Sequence, residues 1–188
     1  MEIPGSLSER FPFLDALEEA WEPVSRAAFS GWLAFYVLLM GNALFGGHLF
    51  QRFDLGFIPI HEGGHLLFRF FGEWIAVAGG TFLQLFVPFA LAASFAFRRQ
   101  VPGTAFCAFF FFEQFLPISV YMADARAQDL PLLTVGDSED VIHDWFYLFS
   151  HAGVLQHDTQ IAATFRILGW LGMFATIAWF SWRSLQKA

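Results

Sequence analysis

Cysteine is almost absent from this chain. Cys107 stands alone, so no intrachain disulfide can form, and its apolar surroundings read as plain packing. Charge is scarce as well: Asp, Glu, Lys and Arg make up 14% of the 188 residues, where a soluble domain carries about 25%. What charge there is falls outside long blocks. Nothing ionised at neutral pH lies between Arg26 and Arg52, between Glu73 and Arg98, or between Arg99 and Glu113. A net charge of -7 with no basic stripe argues against a nucleic-acid partner. An apolar h-region is missing from residues 1–26, which hold Glu2, Glu9, Arg10, Asp15, Glu18, Glu19, Glu22 and Arg26. No cleavable signal peptide is expected there.

Hydrophobic residues, at 56%, fill the gaps between charges. Blocks of about 20 apolar residues suit a hydrocarbon core about 30 Å thick. The pattern predicts an all-α integral membrane protein of about five transmembrane or partly inserted helices. The first span is expected over residues 28–50, and a short one over 57–71 with Pro59 in its first turn. Residues 72–80, bounded by glycines, suit an extended or re-entrant piece. Further spans are expected over 81–97, over 104–122 with a kink or break after Leu116 imposed by Pro117, and over 162–182. The phenylalanine run 109–112 most simply faces lipid. The chain then divides into an acidic amphipathic segment (1–27), a membrane core (28–123), a polar segment (124–161) and a last helix with its tail (162–188). Phe11, Leu14, Leu17, Trp21 and Val24 suit a short surface helix over 11–26, with a soluble cap as the alternative. Arg52, Arg98, Arg99, Arg183 and Lys187 on one side, against Arg26, Arg69, Arg126 and Arg166 on the other, lean to a cytoplasmic C-terminus. A multi-pass protein of this kind suits the plasma (inner) membrane if the source is bacterial.

Within the short second span His61, Glu62, Gly63, Gly64 and His65 spell His-Glu-x-x-His. On a helix the two histidines share a face and can share a zinc ion, while the glutamate can act on the metal's water. A shuffled chain of this composition gives the pattern only about 0.01 times, so chance explains it poorly. Two glycines inside a helix cost about 1 kcal/mol each relative to alanine, which suggests close backbone approach or small-residue packing. A catalytic zinc takes three protein ligands and leaves a place for water, so a third ligand is needed. Glu113, an ionisable group at membrane depth, is one candidate. His143 is another, although Asp137 or Ser138 can equally be an N-cap with acidic residues in the first turn behind it. Asp124, Arg126 and Asp129 can equally form a solvated ion-pair cluster. His48, His151 and His157 show no ligand-like spacing.

His-Glu-Gly-Gly-His at the start of a membrane helix, the Gly79-Gly80-Thr81 step into a helix bearing Gln84 and Pro88, and Leu116-Pro117-Ile118 leading to Asp124 together resemble the site-2 protease family of intramembrane zinc metalloproteases. The likeness covers about residues 57–130. Gln114 stands where that family has an asparagine, and Asp124 is followed by Ala125 rather than glycine. The resemblance implies a three-helix metalloprotease-like core, a Zn2+ cofactor held by His61, His65 and Asp124, and Glu62 as the catalytic base. Straight parallel spans would hold Asp124 far from His61, so Pro117 or a re-entrant 72–80 segment would have to return it. His143, Glu113, Asp129 and Asp144 are the alternative ligands or outer partners. The expected activity is cleavage of peptide bonds within or near the bilayer, with a membrane protein or peptide as substrate. A non-catalytic zinc-binding scaffold of the same fold, or a zinc hydrolase acting on a lipid or small amide, are the alternatives. Nothing in the sequence sets the oligomeric state.

Overall fold

The computed structural model describes residues 20–45, 49–130 and 143–186. The described residues form helices and turns, with no strand among them. In chain order these are α1 (Arg26–Leu44), α2 (Leu49–Phe68) with a 3-10 turn Arg69–Phe71, α3 (Glu73–Phe97), α4 (Val101–Glu113), α5 (Phe115–Ala123), α6 (Asp144–His151), a second 3-10 turn Leu155–His157, and α7 (Asp158–Leu185).

Local signals account for most of the boundaries. Ser25 caps α1, its Oγ accepting from Ala28 N–H at 3.2 Å. Gly72, at φ 96°, reverses the chain between α2 and α3, a backbone state that costs glycine nothing. Glu73 then sits in the first turn of α3, where the helix dipole favours an anion. Pro117 lacks the N–H that would bond the Glu113 carbonyl, and the helix breaks between Glu113 and Phe115, three residues before the proline. Asp158 opens α7 with Oδ1 accepting from Thr159 N–H at 2.6 Å. Arg126 holds the same carboxylate in a two-point pair, Nε to Oδ2 at 2.8 Å and Nη2 to Oδ1 at 2.7 Å.

Four helical stretches are long and apolar enough to cross a membrane: Arg26–Leu44, Glu73–Phe97, Val101–Ala123 and Leu155–Leu185. Their outward residues are apolar too, among them Leu38, Phe82, Phe86, Leu171 and Phe174, each about half exposed or more. Contiguous apolar surface of that kind on a soluble monomer would be unusual, whereas lipid covers it at no cost. The interior is aromatic. Tyr36, Phe109 and Phe180 are fully buried and join α1, α4 and α7, with Met173 beside them. A second cluster of Ile118, Met122, Phe149 and Ala162 ties α6 to α5 and α7.

Several sequence expectations are corrected. Residues 73–80 are helix rather than a re-entrant piece, because Gly79 and Gly80 pack in helical geometry against α2. The motif helix begins at Leu49, with Pro59 inside it and not in its first turn. The first span ends at Leu44, and the last runs Asp158–Leu185, beyond 162–182 at both ends. Phe109 and Phe110 are core residues, not lipid-facing, since α4 is enclosed by α1 and α7. Residues 20–25 are not helical, and Trp21 and Val24 pack against the core. The remainder of that expected surface helix, His48, and the N-cap expected at Asp137 or Ser138 lie outside the described residues.

Candidate metal centre

The motif sits in the C-terminal part of α2 rather than at the start of the helix, and α3 runs back along it at a separation only glycine permits. A Cβ on Gly64 would collide with the backbone of Gly79 and Gly80, and one on Gly80 would lie 2.5 Å from His65 Nε2 and 2.7 Å from His61 Nε2. The two helices therefore meet where the imidazoles need room. Gly63 is not required in this way, since its nearest foreign atom is 3.9 Å off.

Three side chains converge at this junction. His61 Nε2 lies 3.0 Å and His65 Nε2 3.4 Å from Asp144 Oδ2, and among the described residues this trio is the group whose ligand atoms, all within 4.8 Å of one another, could hold a metal ion. Ligands at about 2.0 Å in a tetrahedral shell stand about 3.3 Å apart, so the observed spacing fits a shared ion. The other ring nitrogens are already committed. His65 Nδ1 contacts the Ala76 carbonyl at 2.9 Å and must donate to it, and His61 Nδ1 contacts Gln84 Oε1 at 3.0 Å. A neutral imidazole that donates through Nδ1 offers a lone pair at Nε2, the arrangement found in metal-binding histidines. Two lone pairs and a carboxylate then face one another with no hydrogen between them. Such a donor set calls for a cation, either a proton on a ring or a metal.

Asp144 comes from α6, the short helix packed across the end of α5. His143 caps it, Nδ1 accepting from Phe146 N–H at 3.2 Å, and Tyr121 Oη accepts the Asp144 N–H at 3.1 Å. The Tyr121 and His143 rings lie against each other with centroids 4.2 Å apart. Burial pushes the Asp144 carboxyl upward in pKa; with a proton on a ring, hydrogen bonds and attraction from His61 and His65 outweigh burial and hold the group below the usual carboxylate range. The rings are 16% and 26% exposed at their side chains, so the group is not fully enclosed.

Asp124, expected as the third ligand, is not in this group. Its carboxylate receives Asp129 N–H at 2.9 Å on Oδ1 and Leu130 N–H at 3.1 Å on Oδ2, and it lies 3.4 Å from His143 Nε2. The chain turns sharply after α5, so Asp124 closes that turn on its own backbone and braces the ring that caps α6. Asp144, one of the alternatives, takes the place beside the two histidines. His143, another alternative, is also out of the group, with one ring nitrogen on Phe146 and the other toward Asp124. Asp129 is exposed, and Glu113 is fully buried beside Gln114. Arg126 pairs with Asp158 rather than with Asp124 and Asp129. Glu62, half buried next to His61, makes no hydrogen bond among the described residues.

Gln84 enters the sequence reading only as part of the family-like helix, with no role at the site, and Tyr121 does not enter it. A lone glutamine in an apolar helix was the available signal for Gln84, because a polar group at membrane depth marks function. For Tyr121 there was none.

No family model matches the chain, and no curated protein and no solved structure is found to be similar to it.

Proposed function

We propose that this protein is a membrane-embedded zinc metalloprotease that cleaves peptide bonds within or near the bilayer, as its resemblance to the site-2 protease family implies. The observation that carries the proposal is the convergence of His61 Nε2, His65 Nε2 and Asp144 Oδ2, with both Nδ1 atoms held by Gln84 and Ala76. His61, His65 and Asp144 would hold the ion, and two histidines with one carboxylate is a donor set that leaves a coordination place open. When bound, zinc polarises the scissile carbonyl and lowers the pKa of a water toward about 7. Glu62 serves as base: it adjoins His61 in the helix, lies outside the ligand trio, takes the proton of the attacking water and passes it to the leaving amine. Tyr121 holds Asp144 in place through its main-chain N–H. Water would have to enter past His65, the more exposed of the two rings. A closed four-ligand zinc, the mark of a structural site, finds no fourth donor in His143, which is turned to Asp124.

The test is turnover in proteoliposomes. Wild-type protein is expected to cleave a membrane-spanning peptide substrate, and Glu62→Gln to retain zinc without cleavage. Turnover of lipid or small amides in place of peptides would give the site a different substrate, and wild-type cleavage by Glu62→Gln would remove Glu62 from the mechanism.

A further inference from the structure

A polar chain leads from His61 into the interior of the bundle and ends on two carboxyl groups that the proposed reaction does not use. Gln84 Oε1 lies 3.0 Å from His61 Nδ1, and Gln84 Nε2 donates to Gln114 Oε1 at 2.7 Å. Gln114 Nε2 donates to Glu113 Oε2 at 2.6 Å and to Asp54 Oδ1 at 3.3 Å. Glu113 and Gln114 have no exposed surface, and Gln84 is 9% exposed. Gln114 Nε2 thus bridges the Glu113 and Asp54 carboxyls, and Glu113 Oε1 has no hydrogen-bond partner among the described residues.

The carboxyl end fixes the direction of every link. Carboxylate oxygens accept, so Gln114 must turn its NH2 to Asp54 and Glu113 and its carbonyl to Gln84. Gln84 then turns its NH2 to Gln114 and its carbonyl to His61, and His61 must carry its hydrogen on Nδ1. Its Nε2 is left as a lone pair facing Asp144. Reversal of either amide would set like against like at buried positions. At the far end, two ionised carboxylates drawn to one amide nitrogen in a buried place would repel, whereas one proton held by the pair relieves the repulsion.

We infer that Asp54 and Glu113 hold one proton between them, and that Gln114 and Gln84 act as positioning residues that carry the polarity of this pair to His61 and keep its Nε2 free for the metal. The last clause rests on the zinc reading; the shared proton and the His61 tautomer do not.

The experiment uses the full chain in detergent, with three readouts. In infrared spectra at pH near 7, wild type is expected to show a carboxylic-acid carbonyl band that Glu113→Gln removes. Absence of any such band in wild type overturns the shared proton, and needs no variant. Nitrogen-15 spectra of the metal-free protein are expected to show the neutral His61 ring protonated at Nδ1 in wild type and no longer held in that single form in Gln84→Met. A wild-type ring protonated at Nε2, or no change in Gln84→Met, overturns the relay. Competition with a chromophoric chelator, with zinc alone as the probe, should show affinity falling about 10 to 100-fold in Gln84→Met, the range for loss of a ligand's hydrogen-bond partner. Unchanged affinity in a variant with unchanged melting temperature overturns the relay's link to the metal. A wild type that binds no zinc removes the protease reading, while the infrared and nitrogen results still decide the proton pair and the tautomer.

Discussion

Replacing Gly80 by alanine adds one methyl group to a helix and alters no ligand, yet it should empty the metal site. The new Cβ would lie 2.5 Å from His65 Nε2, 2.6 Å from its Cε1 and 2.7 Å from His61 Nε2, whereas ordinary contact begins at 3.4 Å. Both rings would have to retreat by about 0.7 to 0.9 Å, several times the roughly 0.2 Å tolerance of a metal–ligand distance. Neither ring is free to slide and keep its orientation, because Gln84 and the Ala76 carbonyl hold the far nitrogens. The cost to folding is smaller. Alanine gains about 1 kcal/mol over glycine within a helix, and overpacking costs about 1–3 kcal/mol, so the net loss is at most about 2 kcal/mol. Zinc titration of Gly80→Ala in detergent should therefore show affinity reduced more than 100-fold at near-normal folded yield. Gly63→Ala is the matched control: its Cβ meets nothing closer than 3.9 Å, so zinc binding should stay intact with stability unchanged or up by about 1 kcal/mol. Wild-type zinc affinity in Gly80→Ala would refute the claim that the α2–α3 contact shapes the ligand set.

Asp124→Asn should keep zinc but loosen the turn after α5 and the bracing of His143, lowering stability by about 1–3 kcal/mol in denaturant melts, as expected when buried donors lose a charged acceptor. Tyr121→Phe leaves the buried Asp144 N–H without its acceptor, so zinc affinity should fall by about 10-fold and metal-free stability by about 1–3 kcal/mol; an unchanged affinity would mean that α6 needs no help from Tyr121. Chelation of the loaded protein should lower its melting temperature. At zinc one hundred times its dissociation constant the linked loss is about 2.7 kcal/mol, and a melt insensitive to chelator would show that metal does not bind the folded state preferentially.

The membrane character and the paired histidines were legible because both are local: long uncharged blocks give spans, and a four-residue spacing gives one helix face. The break near Pro117 was legible for the same reason, with its position displaced to Gln114 by the missing bond to the Glu113 carbonyl. The third ligand was not local. Asp124 follows the family's order along the chain, but its carboxylate is taken by the N–H groups of Asp129 and Leu130, an interaction set by the path of the turn. Asp144 reaches the histidines because Phe149 and its neighbours dock α6 on α5 and α7, a tertiary contact that no periodicity displays. Residues 73–80 misread for a related reason. Glycines that look like helix breakers in sequence are here the residues that let α3 approach α2.

The zinc content of purified protein, wild type beside single ligand variants, tests the central claim most directly. About one zinc per chain is expected in wild type and in Asp124→Ala, and little in His61→Ala, His65→Ala or Asp144→Ala at equal folded yield. A wild type without zinc, or zinc kept in Asp144→Ala and lost in Asp124→Ala, would contradict the site described.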